Sequence, residues 1–176
     1  MKWFKKLMDY IKGLFASKKV EREIGQNIEQ QPSKRRTAFE IAKTYIGQKE
    51  IKGKKHNPII QSFYQRAVGK IYGDETPWCM AFVNSCLMEA GCQGTGKLNA
   101  RSALTLGEPT NTPKRGDIVI FWRGSKNGWK GHVGFFVDKQ GDNILVLGGN
   151  QHDRVNISPY PSYRVLGFRR YCNENK

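Results

Sequence analysis

The feature that most restricts what this chain can fold into is a change of hydrophobic period near Gly116. Upstream of it, apolar residues recur at helical spacing. The segment from Thr37 carries Phe39, Ile41, Ala42, Tyr45 and Ile46 in such a pattern, with Gly47 placed to end the helix. Ile59, Ile60, Phe63 and Tyr64 follow Pro58, which suits the first turn of a second helix. TPWCMAFVNSCLMEAG predicts a third. Downstream, the runs GDIVIFWRG, GHVGFFVD, NILVLGGN and VLGFRRY are short, rich in β-branched and aromatic residues, and separated by glycine. Helices followed by strands, rather than alternating with them, predict an α+β domain with an antiparallel sheet.

Residues 1–16 read differently. Trp3, Phe4, Leu7, Met8, Ile11, Leu14 and Phe15 share one helical stripe, while Lys2, Lys5, Lys6 and Lys12 lie mostly off it. Two readings stay open: a helix lying on an anionic membrane surface, and a helix packing its stripe on the domain or on another chain. Residues 17–36 are polar and read as a linker. Thirty Lys and Arg against fifteen Asp and Glu leave a net charge of +15, which favours polyanionic surroundings without naming one. No apolar run reaches the roughly 18 residues of a transmembrane helix. The first 20 residues do not read as a signal peptide.

The cysteines are Cys79, Cys86, Cys92 and Cys172. Free thiols are the favoured reading over a disulfide framework, because the chain is not cysteine-dense. None of the spacings is the close pair of a structural zinc site, so no metal is expected. Cys79 stands out by position. With Thr76 as N-cap and Pro77 as first helical residue, its thiol falls in the first turn, where unpaired N–H groups and the helix dipole favour a thiolate. A small core cysteine is the competing reading.

His132 heads an apolar strand between two glycines. Alternation puts His132, Gly134 and Phe136 on one face, with Gly134 leaving a shallow spot beside the ring for substrate. In a hairpin with a five-residue turn from Lys139 to Asn143, Asp138 pairs with Ile144 and His132 with Asn150. An amide there orients an imidazole, as in Cys–His–Asn thiol hydrolases. A bulge at Gly148-Gly149 would alter this register, which keeps Gln151 as a second candidate.

In order along the chain, DETPWCMAFVNSCLMEAG, GTGKLNARSAL, PKRGDIVIFWRG, GHVGFFVD and VLGGNQHDRVNIS resemble the NlpC-type and CHAP (cysteine, histidine-dependent amidohydrolase/peptidase) superfamily, and more narrowly its phage- and prophage-encoded members. The resemblance spans about Thr37 to Tyr171, and residues 37–172 are taken as the domain. It implies a papain-like α+β fold and cleavage of amide bonds in peptidoglycan, either within stem peptides or at the sugar–peptide junction. It places the nucleophile at Cys79, the base at His132 and the third polar group at Asn150. Many relatives carry a second histidine or an acid in that third role; Gly148 stands where some carry the acid. The implied mechanism is a thiolate–imidazolium pair with no metal or organic cofactor. Asp74, Trp78, Gly134, Gln151 and the loop from Gly124 to Gly131 are candidate substrate contacts. Trp122 and Trp129 read as structural rather than sugar-binding.

A monomer is expected, made in a bacterial cytoplasm and acting on the cell wall after release or export. A phage lysis enzyme, a secreted toxin and a virion-borne enzyme all fit. The rival readings are a nonenzymatic wall- or membrane-binding protein and the same fold acting on a non-wall amide. No nucleic-acid-binding motif is evident, so nucleic acid is not an expected partner.

Overall fold

The structure is a computed structural model that describes residues 36–53 and 55–171. The expectations for residues 1–35 and for Cys172 lie outside the described residues. Three helices precede a six-stranded sheet: α1 (Ala38–Thr44), α2 (Pro58–Val68) and α3 (Cys79–Glu89), then a 3-10 helix (Ala100–Thr105), β1 (Glu108–Thr110), β2 (Ile118–Trp122), β3 (Gly131–Gln140), β4 (Asn143–Gly148), β5 (Asn156–Pro161) and β6 (Val165–Arg170). The sheet order is β1-β6-β2-β3-β4-β5, and every pairing is antiparallel. The chain is an α+β, papain-like arrangement: a cysteine at a helix start packed on an antiparallel sheet that carries a histidine.

Local chemistry explains the helix boundaries. Thr37 caps α1 in a capping box, its hydroxyl accepting from Glu40 N while the Glu40 carboxylate accepts from Thr37 N. Asn57 caps α2 through its side chain, Pro58 opens the helix, and Gly69 closes it in the left-handed region. α3 starts later than its sequence suggests. Its N-cap is Trp78, so Cys79 is the first helical residue rather than the third. The Thr76 hydroxyl does not cap the helix; instead the Thr76 backbone N–H donates to Gly73 O, and its carbonyl accepts from the Tyr64 hydroxyl.

Strand parity divides the interior in two. Ile118 and Ile120 of β2, with Val133 and Phe135 of β3, face the helices and meet Phe63, Trp78 and Phe82. Val119, Phe121 and Phe136 face the other way, with Ile144, Val146, Tyr160 and Phe168. α3 is buried along Cys79–Leu87. Its polar residues are therefore partnered. Asn84 donates to Lys97 O and accepts from Thr95 N, pinning the GTG loop, and Ser85 is bonded to Arg66.

Two strands have no counterpart in the sequence reading. β1 is three residues long at one edge. β5 has the sequence NISPYP, in which Pro159 and Pro161 argue against a strand. It is the opposite edge, the place where a sheet tolerates missing donors.

The β3–β4 hairpin departs from the expected turn and still keeps the expected register near the site. Gln140 pairs with Asn143, so the turn has two residues, Gly141 and Asp142, not five. A bulge between Phe136 and Asp138 then absorbs one residue. Beyond it Phe136 pairs with Val146 and Phe135 with Leu147, as the longer turn would have placed them.

Candidate functional site

His132 is completely buried, and its Nε2 lies 3.0 Å from Gln151 Oε1. The orientation of that amide is fixed from behind. Gln151 Nε2 faces Asn156 O at 2.7 Å, Asn156 Oδ1 at 2.8 Å and Val146 O at 3.2 Å. Backbone carbonyls only accept, so the amide nitrogen must lie on their side and the oxygen must face the imidazole. Asn156 is itself held, donating from Nδ2 to Gln151 O and accepting from Ser158 Oγ. An oxygen acceptor at Nε2 puts the ring proton there and leaves Nδ1 as a lone pair. Nδ1 is buried and has no hydrogen-bond partner. It is the nitrogen available to act as a base.

The partner of His132 is thus Gln151, not Asn150. β4 ends at Gly148, and Asn150 has already turned into the left-handed region with φ of 56°. Extrapolating strand parity two residues past the strand end is what points to Asn150. Gly148 makes the real arrangement possible. A Cβ at that position would lie 2.8 Å from Gln151 Oε1 and 3.3 Å from His132 Nε2.

Cys79 is 6% exposed. Backbone N–H groups of Val133, Met80 and Cys79 face its sulfur, so the helix start supplies donors as the sequence suggests. Val133 follows His132, which places the sulfur against the base's own strand. Burial nevertheless outweighs these donors and the nearby Arg123 charge, and pushes the thiol up from its ordinary value. Burial also drives His132 down to about 3; Arg123 adds to that effect and the Gln151 bond opposes it. At both members burial works against the charged forms that a thiolate–imidazolium pair requires.

The other proposed contacts fall in different places. Asp74 is buried and pins the preceding loop, its Oδ2 accepting from Asn57 N at 2.7 Å and Ile51 N at 3.1 Å. Trp78 is buried beneath the site, donating from Nε1 to Glu50 at 2.8 Å and packing on Gly149, where a Cβ would come within 2.5 Å of the indole. Gly134 leaves no open spot: a Cβ there would meet Val146 Cγ1 at 2.4 Å. The loop after β2 is clamped by Arg101, which donates to the carbonyls of Ser125, Lys126 and Lys130, each at 3.0 Å. That clamp gives Arg101 of the ARS block a structural role. Trp122 packs against Tyr163, and Trp129 is exposed.

Two residues beside the pair carry no signal in the sequence. Tyr160 stacks on the His132 ring with centroids 4.7 Å apart and planes 14° apart, and also on Phe121 at 5.0 Å. Arg123 reaches the Tyr160 hydroxyl. Tyr160 was hidden because it sits in the proline-containing strand. Arg123 was hidden within a general excess of basic residues.

Residues 71–150 match the family model of the CHAP domain. No curated protein matches the chain. Among solved structures, the chain is similar to an NlpC/P60 family protein from Bacillus cereus, with 19% identity over 54% of this chain and 32% of that one and a TM-score of 0.41. A second is a Staphylococcus aureus protein described as similar to lipoprotein, NLP/P60 family, with 14% identity over 69% of this chain and 44% of that one and a TM-score of 0.39. The chain spans less than half the length of either.

Proposed function

We propose that this protein is a cysteine amidohydrolase or peptidase of the CHAP type that cleaves amide bonds in peptidoglycan. The observation that carries the reading is the fixed tautomer of His132, whose unpartnered Nδ1 is buried on the strand that also meets the Cys79 sulfur. When a substrate amide enters, the sulfur closes on Nδ1, gives up its proton and attacks the carbonyl carbon. The N–H groups at the start of α3 hold the developing oxyanion. The imidazolium passes its proton to the leaving amine, and the neutral ring then activates water to release the acyl group. In this reading the pair starts neutral, and the charge separation arises only during attack.

Digestion of purified cell walls with the full chain, followed by mass spectrometry of the soluble products, tests this. Each cut is expected to release one new amine and one new carboxylate, and alkylation of Cys79 is expected to stop it. New sugar reducing ends, or no products at all, would remove the reading. The product ends also distinguish stem-peptide cleavage from cleavage at the sugar–peptide junction. A role in lysis, and surface targeting by residues 1–16, belong to the same proposal. Deleting residues 1–36 is expected to leave digestion of isolated walls intact and weaken action on whole cells.

Gly148→Ala gives a narrower expectation. The methyl displaces the Gln151 amide from His132 while the backbone accepts alanine. Turnover is expected to fall by roughly tenfold or more, because misplacing a catalytic group by about 1 Å is costly. The melting temperature is expected to move little. Unchanged turnover would mean that the amide does not hold the ring.

A further inference from the structure

Arg123 follows the last residue of β2, and its N–H donates to Lys130 O at 3.2 Å. Phe121 pairs directly with His132 across the two strands, and Arg123 lies two residues further along the same face as Phe121. Tyr160 stacks on both rings, and its hydroxyl is bonded by the Arg123 side chain. The Arg123 charge bears on both Cys79 and His132. Arg123 is nonetheless an exposed residue. The ion pairs among the described residues engage Arg36, Arg66, Arg170 and His56, and none engages Arg123. An exposed cation beside the Cys79–His132 pair, bonded to a tyrosine and without a carboxylate partner among the described residues, is arranged to receive one.

We propose that Arg123, braced by Tyr160, is a specificity-determining residue that binds a free carboxylate next to the scissile amide, so that the substrate is an acidic peptide. This rests on the reading of Cys79 and His132 as the hydrolytic pair. It also resolves a conflict within the site. An unneutralised guanidinium opposes formation of the imidazolium that the reaction requires. A bound substrate carboxylate removes that opposition, so the base takes its proton readily only when an anionic substrate is in place. Neutral amides lack this effect.

Alkylation of the full chain tests the subsite without any wall chemistry. Iodoacetate and iodoacetamide differ as carboxylate and carboxamide; each transfers its CH2 carbon to the sulfur as iodide leaves and the thiol proton passes to the base. Modification of Cys79 is followed by peptide mass spectrometry, and the ratio of the two rates is normalised to that of glutathione. The wild type is expected to favour iodoacetate tenfold or more over the free thiol's ratio. Arg123→Gln is expected to abolish that preference, and Arg123→Lys to retain most of it. A preference unchanged in Arg123→Gln, or equal slowing of both reagents, would overturn the proposal, the latter showing that Arg123 acts on the thiol alone. A second measurement needs no variant: glutarate is expected to protect wild-type Cys79 from iodoacetamide, and glutaramide is not. Equal protection by the two also overturns it. A carboxylate preference in a protein that cuts no wall bond would sink the proposed function and leave the subsite standing. On walls, amidation of the stem-peptide carboxylates is expected to slow cleavage about tenfold; cleavage indifferent to amidation would show that the wall peptide does not use the subsite and would overturn the acidic-peptide assignment.

Discussion

Gln151→Ala is expected to lower turnover on purified walls by about 10²–10⁴-fold, the range by which a positioned acid–base group contributes, while Asn150→Ala changes it less than threefold. Cys79→Ala is expected to leave no measurable hydrolysis. The asymmetry between the two amides follows from what each touches. Removing the Gln151 amide leaves His132 Nε2 buried without an acceptor, so the ring loses the partner that sets its tautomer and aim. It also leaves the Val146 and Asn156 carbonyls without the amide donor. Asn150 carries no comparable contact to the ring. Rates should be read beside circular dichroism, since orphaning buried acceptors costs roughly 1–3 kcal/mol of stability. Equal losses at 150 and 151 would contradict the assignment of the third residue. Gln151→Glu should be worse than alanine for folding, because a carboxylate oxygen would then face three acceptors where an N–H2 now donates.

The second large effect concerns acid. Burial holds His132 neutral, with its proton affinity lowered from 6.5 to about 3. In the unfolded chain the same imidazole protonates near its ordinary value of about 6.5. The unfolded state therefore binds more protons across that window, and stability rises with pH within it. The His132 contribution is complete above about 6.5 and is lost as pH falls toward 3, at about 1.4 kcal/mol per pH unit. Set against total stabilities of about 5–15 kcal/mol, that loss is large. Urea unfolding at several pH values should show a steep acid slope in the wild type and a shallower one in His132→Asn, whatever the variant's absolute stability. Parallel slopes would show that His132 does not carry the dependence. Cys79 works in the opposite direction: its raised thiol contributes stability below the unfolded value of about 8.5 that is lost as pH rises beyond it.

The sequence makes much of this legible, for identifiable reasons. The change of period at Gly116 separates helices from sheet, and four of the six strands coincide with apolar runs. Cys79 and His132 show themselves through position: one at a helix start, one heading a strand. Gln151 shows itself only as the alternative to Asn150, because it lies beyond β4, where parity no longer assigns faces and backbone turns do. The charge state of the pair is equally illegible, since it depends on burial by residues from distant segments. The thiols divide in the same way. Cys79 and Cys86 are free, as expected, but Cys92 is disulfide-bonded, which composition alone argued against.

The bulge beside Val137 has a wider consequence. It takes up the one-residue offset in register between the two-residue turn actually present and the five-residue turn that would give the same pairing at Phe135. Changes of length at the hairpin tip can therefore be cancelled before they reach His132. The tip is insulated from the chemistry, and the segment from Gly141 to Asp142 becomes the natural place for this fold to accept insertions, in evolution or by design, while the imidazole keeps its aim.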